Sequence, residues 1–180
     1  DHGGMAARLA PAGEGGMRIK VLEVLATLKR AGAERMAVSL ACHLDPARFE
    51  TRVVSLYDAF PGGFEPVLAE GGVPVTHLGK SRGFAPRIYP RLRRELRAFR
   101  PDVLHSHSYV MRYTFPAGWA AGCRTMVHTV HNVALNETDR IGRCIHRVAY
   151  RKGVAPVAVG DEVARSFAAY YGFPPSATIP

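Results

Sequence analysis

Two stretches that end in histidine carry the residues best suited to chemistry. PDVLHSH and TMVHTVH both read as buried strands. Alternate residues of a strand share a face, so His105 and His107 are predicted to point the same way. His128 and His131 are three residues apart and are predicted to lie on opposite faces. A neutral imidazole at a strand end can exchange a proton, so we select His107 and His131, which lie nearest the loops, and interpret His105 and His128 as structural.

Four histidines near two strand ends raise the question of a metal centre. A zinc site needs three or four ligands that converge on one point. The opposite orientations of His128 and His131 count against such convergence, and no nearby cysteine or glutamate completes an obvious set. The sequence therefore predicts no metal site.

The loop ATLKRAGAER follows the first predicted strand and opens a helix. The first amides of a helix are unpaired and lie at the positive end of its dipole, so a helix beginning near Ala33 can face an anion. Gly32 would allow the backbone to approach a ligand closely. The stretch is not G-x-G-x-x-G, so a dinucleotide fingerprint is absent. The alternative is an ordinary helix start, with Glu34 as a favourable acid in the first turn.

Arginines are concentrated in the segment 82–100, and the whole chain has a formal net charge of +9. A solvated helix face is the simplest interpretation. The alternative is a basic surface, with Arg91, Arg94 and Arg97, that rests on anionic lipid headgroups. The segment has neither interleaved aromatic residues nor a recognition-helix pattern, so nucleic acid is not a predicted partner.

Chain length and cysteine spacing limit the classes of protein to which the sequence can belong. The 180 residues suffice for one domain with its own core. Its three cysteines are far apart and show no metal or redox spacing, which indicates free thiols in the cytoplasm. No apolar run approaches the length of a membrane span. We interpret residues 1–16 as a disordered leader or cloning remnant and residues 17–180 as the domain.

Strand and helix patterns alternate along the rest of the chain. The predicted strands are 18–25, 51–57, 73–79, 101–107, 125–131 and 155–160. The predicted helices are 30–44, 63–72, 89–100, 109–122, 138–152 and 161–172. This alternation predicts an α/β fold, a Rossmann-like doubly wound and mainly parallel sheet flanked by helices. Ligands of such sheets bind beyond the carboxyl ends of the strands, where the selected residues are predicted to lie.

Four motifs in order resemble the N-terminal half of a family 4 glycosyltransferase, a retaining enzyme of GT-B architecture. IKVLEVLATLKRAGAERMAVSLACHL resembles the family's first strand, glycine loop and GGAE helix, and FRPDVLHSHS resembles its kPDvvhaH strand. MVHTVHN resembles the vvtvHn strand, and VAPVAVGDEVARSF with YGFPPSATIP resembles the closing iavSeavr segment. Two positions depart from the pattern, because Ala31 replaces the first loop glycine and Gly160 replaces a serine.

The resemblance implies a role for each selected residue. Family members move a sugar from a nucleotide-sugar to an acceptor without a required metal or other cofactor. Gly32, Ala33 and Glu34 would face the donor diphosphate, and His131 would contact the donor sugar. The expected acceptor side is lined by His107, Ser108 and Asn132.

The resemblance also implies a second, donor-binding domain, which these 180 residues do not contain. The chain alone is therefore expected to be inactive. The sequence does not identify the donor, and a sugar, a lipid-linked molecule and a small molecule all remain open as acceptors. The predicted location is the cytoplasm, with a peripheral position at the inner face of the membrane as the alternative. Two other functions stay open: another GT-B enzyme such as a nucleotide-sugar epimerase, and a non-enzymatic module that binds a phosphate or carbohydrate.

Overall fold

The computed structural model of the chain describes residues 17–179. The predicted leader, 1–16, lies outside these residues. The strands are β1 (Ile19–Leu25), β2 (Phe49–Ser55), β3 (Val75–His77), β4 (Val103–His107), β5 (Thr125–Val130), β6 (Ala155–Val159) and β7 (Ala177–Ile179). The helices are α1 (Gly32–His43), α2 (Glu65–Glu70), α3 (Ile88–Phe99), α4 (Met111–Ala121), α5 (Ala134–Glu137), α6 (Arg140–Arg151) and α7 (Asp161–Tyr171).

All the strands form one parallel sheet in the order β3-β2-β1-β4-β5-β6-β7. The predicted Rossmann-like, doubly wound α/β fold is therefore confirmed. The strand order reverses between β1 and β4, and the crevice at such a reversal is where open α/β sheets bind ligands.

Apolar side chains form two separate cores. The smaller core joins β1 and β2 to α1 and α2 through residues such as Leu25, Val38 and Leu68. The larger core includes Leu22 and Leu104 of the sheet and the apolar side chains of α3, α4, α6 and α7. Neighbouring residues of β1 thus enter different cores, because successive side chains of a strand point to opposite faces.

The structure also contains elements that the hydrophobic pattern does not predict. A 3-10 turn at Ser108–Val110 precedes α4, and the short helix α5 follows β5. The residues at 177–179, predicted only as the start of a further element, form the edge strand β7. No helix within residues 17–179 is long and apolar enough to cross a bilayer.

Candidate functional site at the carboxyl edge of the sheet

A buried acid and two histidines meet where the strand order reverses. The parallel register sets Glu23 of β1 beside His105 of β4, and His107 follows two residues later on the same face. The Nδ1 atom of His105 lies 3.0 Å from Glu23 Oε2, and Nε2 of His107 lies 2.8 Å from that same oxygen. The Glu23 side chain is fully buried. The predicted shared face of His105 and His107 is thus confirmed.

Glu23 is an anion in the folded chain despite its burial. Burial by itself would raise its pKa, but the His105 and His107 rings beside it hold the pKa at about 2. The ring of His105 is fixed at its far end as well, where Nε2 lies 2.7 Å from the hydroxyl of Thr129. A carboxylate only accepts hydrogen bonds, so both imidazoles must donate to Glu23.

The second nitrogen of His107 connects this buried group to His131. Its Nδ1 lies 3.1 Å from Nε2 of His131. Burial lowers the pKa of His107, so its ring is neutral and carries one proton, which the contact with Glu23 places on Nε2. Nδ1 of His107 therefore accepts a hydrogen bond from Nε2–H of His131. Burial, together with the charge that His107 would carry when protonated, lowers the pKa of His131 to about 4, so the His131 ring is neutral as well. Its single proton is on Nε2, and its lone pair therefore lies on Nδ1.

The same three side chains, Glu23, His105 and His107, form the group within residues 17–179 that could hold a metal ion, with ligand atoms within 4.8 Å of one another. In the arrangement present, the carboxylate contacts both rings at hydrogen-bond distance. The outer ring nitrogens of His105 and His107 also have partners. Hydrogen bonds thus satisfy all three side chains without a metal ion, and the absence of a metal stays a prediction.

The opposite face of β4 and β5 carries a second polar group. Ser106 Oγ lies 2.9 Å from Nδ1 of His128, which confirms that His128 and His131 occupy different faces. The ring of His146 on α6 lies 5.0 Å from that of His128, centroid to centroid. Burial lowers the pKa of His128 well below its ordinary value and that of His146 to about 3, so both rings are neutral. The structural role predicted for His128 is consistent with this burial.

The loop that carries His131 is held by Glu137. The backbone N–H of Asn132 donates to Glu137 Oε2 at 2.9 Å, and that of His131 donates to Oε1 at 3.4 Å. Burial raises the pKa of Glu137, and these two backbone bonds oppose the rise. Helix α5 ends at Glu137, so this short element positions the carboxylate that fixes the strand end.

The glycine loop opens α1 with free amides. Gly32 is the first helical residue, and Ala31 before it supplies no side-chain cap. A Cβ at Gly32 would meet no atom within 4 Å, so the fold itself does not demand glycine there. Oε1 of Glu34 accepts a hydrogen bond of 3.2 Å from Thr27 Oγ1, which ties the loop to the helix.

The residues predicted for the acceptor side differ in exposure. Asn132 is exposed and Ser108 is half-buried, with a left-handed φ of 54° that turns the chain sharply after β4. The side chain of His107 is only 2% exposed. The ring of His107 points toward Glu23 and contacts His131, so this burial does not support a place on the acceptor side, which stays a prediction.

The predicted basic surface lies on α3, where Arg91, Arg94 and Arg97 are all exposed. Their surroundings differ. Arg91 donates to the carbonyl of Leu78 at 2.6 Å, which anchors its guanidinium to the loop after β3. Arg94 forms a long ion pair of 3.8 Å with Glu95.

Sequence reasoning missed the two acids that organise the site. Glu23 had a detectable signal, because it is a single acid inside an apolar strand that a doubly wound fold buries on both faces. Glu137 had none, since it lies in a polar stretch and becomes buried only when α5 folds back under His131.

Several solved structures have this fold. The chain aligns with a glycosyltransferase from Rickettsia africae at a TM-score of 0.69 and 15% identity, over 90% of this chain and 42% of that one. It aligns with Anabaena Alr3699/HepE, solved in complex with UDP and glucose, at a TM-score of 0.68 and 15% identity, over 90% of this chain and 43% of that one. It aligns with a UDP-N-acetylglucosamine 2-epimerase from Rickettsia bellii at a TM-score of 0.60 and 12% identity, over 90% of this chain and 44% of that one.

These identities are low enough that the likeness to solved structures shows the fold alone. The chain spans less than half the length of each of these structures. No curated protein matches the sequence. A family profile gives the more specific result, since that of Glycosyltransferase Family 4 matches residues 30–180, which include α1, the histidine-bearing strands and the loop held by Glu137. The chain therefore belongs to Glycosyltransferase Family 4.

Proposed function

We propose that the chain is the acceptor-side domain of a retaining glycosyltransferase that moves a sugar from a nucleotide-sugar to an acceptor. The observation that carries the proposal is His131, which is held at the carboxyl edge of β5 beside the crevice between β1 and β4. Membership of the family and the UDP and glucose bound by the Anabaena protein support it.

The proposed roles follow from the geometry. Sugar transfer develops negative charge on the leaving diphosphate and positive charge on the sugar. The uncapped amides of Gly32 and Ala33, at the positive end of α1, suit the first charge. His131 is neutral and has its lone pair on Nδ1, so it accepts a hydrogen bond from a hydroxyl of the donor sugar. Neither role needs a metal ion.

The Anabaena and Rickettsia africae structures are each more than twice as long as the chain. We therefore propose that a second domain completes the nucleotide-sugar site and that the 180 residues alone do not catalyse transfer. Ser108 and Asn132 would meet the acceptor. If the acceptor is lipid-linked, the proposal also includes a peripheral contact between the α3 arginines and the inner face of a membrane.

The second candidate is a nucleotide-sugar epimerase. It is favoured by the structural match to the Rickettsia bellii epimerase, which covers as much of this chain as the transferase matches do. An epimerase acts on the nucleotide-sugar without an acceptor. Product analysis therefore separates the two: a glycosylated acceptor identifies a transferase, and an epimerised donor in the absence of acceptor identifies an epimerase.

The variant His131→Ala, made in the natural protein with any further domain it has, tests the role of the central residue. We expect turnover to fall by about 100-fold, as for loss of a positioned polar group, while the thermal midpoint changes little. His43→Ala is the matched control, because His43 is exposed at the end of α1 and its ring forms one hydrogen bond among residues 17–179, with the Ser39 carbonyl. Unchanged turnover in His131→Ala would remove His131 from the site.

A further inference from the structure

Two adjoining cavities open at the carboxyl edge of the sheet, on the β2 and β3 side of His131. One has a volume of about 470 Å³ and lies beside the loops after β1 and β2. The other, of about 530 Å³, reaches residues 136–139 at the end of α5, which include Glu137. Tyr57 and Lys80 line both cavities. A molecule that occupied both would therefore extend from this pair of residues toward the strand end that bears His131.

Lys80 places a buried positive charge between the two cavities. The residue is 6% exposed, and its ammonium group donates to the hydroxyl of Tyr57 at 2.9 Å and to the carbonyls of Ser81 and Gly83. It also lies 4.6 Å from the centre of the Tyr57 ring. All these partners are neutral, and no carboxylate within residues 17–179 forms an ion pair with Lys80. Buried charges are normally paired, so this one leaves an uncompensated positive field.

The surrounding residues add to that field. Lys29 and Arg82 line the first cavity with Lys80, and Asp58 is the one acid among its lining residues. In the second cavity, which Glu137 and Asp139 also line, Nη2 of Arg112 is paired with Asp139 at 2.6 Å, and its buried Nε has no hydrogen-bond partner among residues 17–179. The hydrogen bond from Lys80 lowers the pKa of the Tyr57 hydroxyl, as a net positive environment should. The first cavity is thus electropositive, whereas Lys80 and Arg112 in the second cavity are balanced by Glu137 and Asp139.

Aromatic rings supply the apolar part of the walls. Tyr109 and Tyr113 line the second cavity together with Phe84, whose ring stacks on Tyr113 at a centroid distance of 6.1 Å. Phe84 is nevertheless 62% exposed. A flat aromatic face that stays open beside polar groups suits the C–H face of a sugar ring, while the polar groups fix its hydroxyls.

We propose that these cavities bind an acceptor sugar that carries an anionic group, either a carboxylate or a phosphate ester. The anion lies against Lys80, Lys29 and Arg82, and the sugar ring lies against Phe84 and the neighbouring tyrosines. That the bound sugar is an acceptor rests on the proposed transferase function. The anion site itself rests only on the charges and cavities described above.

The experiment is a titration of the isotope-labelled 180-residue chain followed by two-dimensional NMR. The probes are glucuronate, glucose 1-phosphate and glucose, each added up to about 20 mM, which detects millimolar affinity. We expect at least one of the two anionic probes to shift the amide signals of Tyr57, Lys80 and Phe84, and glucose to have little effect. Binding of glucuronate alone assigns a sugar acid, binding of glucose 1-phosphate alone assigns a sugar phosphate, and binding of both assigns either anion.

The variant Arg82→Ser tests the charge directly, because Arg82 is exposed and its side chain forms no hydrogen bond with any residue within 17–179 that the substitution would break. We expect about fivefold weaker binding of the anionic probe, as for loss of one exposed charge contact. Arg97→Ser is the matched control, since Arg97 is also exposed but lines a different cavity, beside Arg100 and Pro101. We expect its binding to equal that of the wild type.

Three results would overturn the anion site: no shift with either anionic probe, shifts as large with glucose, or equal losses in Arg82→Ser and Arg97→Ser. None of them bears on whether the protein transfers a sugar, because a transferase with a neutral acceptor would still lose turnover in His131→Ala. Conversely, unchanged turnover in that variant would leave the anion site standing as a binding site.

Discussion

The buried Glu23 carboxylate provides the sharpest test of how the site is held, through the variant Glu23→Gln. Glutamine has nearly the shape of the protonated acid, so the variant fixes the side chain in its neutral form. The folded chain holds the pKa of Glu23 at about 2, against an ordinary value of 4.5. That difference corresponds to about 3 kcal/mol of unfolding free energy at pH 7, or roughly 6–12 °C in the thermal midpoint for a chain of this size.

The pH dependence of this loss has a definite sign. Because the pKa is lower in the folded chain than in the unfolded one, the contribution of the carboxylate is present above pH 4.5 and is lost as the pH falls toward 2. The difference between wild type and Glu23→Gln should therefore shrink from about 3 kcal/mol at pH 7 to about 2 kcal/mol at pH 3.5.

Urea denaturation followed by circular dichroism at the two pH values measures both quantities. Glu50→Gln is the control, because the 3.2 Å pair of Glu50 with Arg52 is a surface pair whose loss should cost below about 1 kcal/mol. Nitrogen-15 NMR of the imidazoles adds a direct readout: Nε2 of His107 carries the proton in the wild type, and Glu23→Gln changes that signal. A loss below about 1 kcal/mol at pH 7, or an unchanged His107 signal, would refute the assignment of Glu23 as the anion that orients the histidines.

Two further predictions concern the rest of the domain. Burial holds the pKa of His146 at about 3, below its value of 6.5 in an unfolded chain. The free energy of unfolding should therefore fall as the pH drops through that interval, by about 2 kcal/mol between pH 7.5 and 5. Acid titration of the wild type against His146→Phe measures this fall, and equal slopes of stability against pH in the two proteins would contradict it. The triple variant with Arg91, Arg94 and Arg97 changed to Ser should bind vesicles of anionic phosphatidylglycerol on the order of 100-fold more weakly if α3 contacts a membrane, given about 1 kcal/mol for each of the three basic residues near such a surface. Unchanged sedimentation with vesicles would leave the solvated helix face as the interpretation.

Much of the architecture was predictable because it depends on local patterns. Apolar runs of strand length alternate with helix periodicity, and that order is enough to predict a parallel sheet with helices on both faces. The alternation of side chains along a strand also predicted that His105 and His107 would share a face and that His128 and His131 would not, and the structure confirms both. The short helix α5 was missed because its four residues, ALNE, are too few to show a helical periodicity.

The sequence by itself determined the fold class, the family resemblance and the histidines worth testing, because each of these is written in the order and spacing of neighbouring residues. Tertiary structure alone decided which partners those histidines have. Glu23 and His107 are 84 positions apart, and only the register of β1 against β4 brings them to 2.8 Å. The same holds for Lys80 and Tyr57, which meet because β2 and β3 are neighbours and their carboxyl ends share one edge. Hydrogen bonding and burial act over a few ångströms in space, whatever the distance along the chain, so the proton positions and charges of this site follow from the folded sheet.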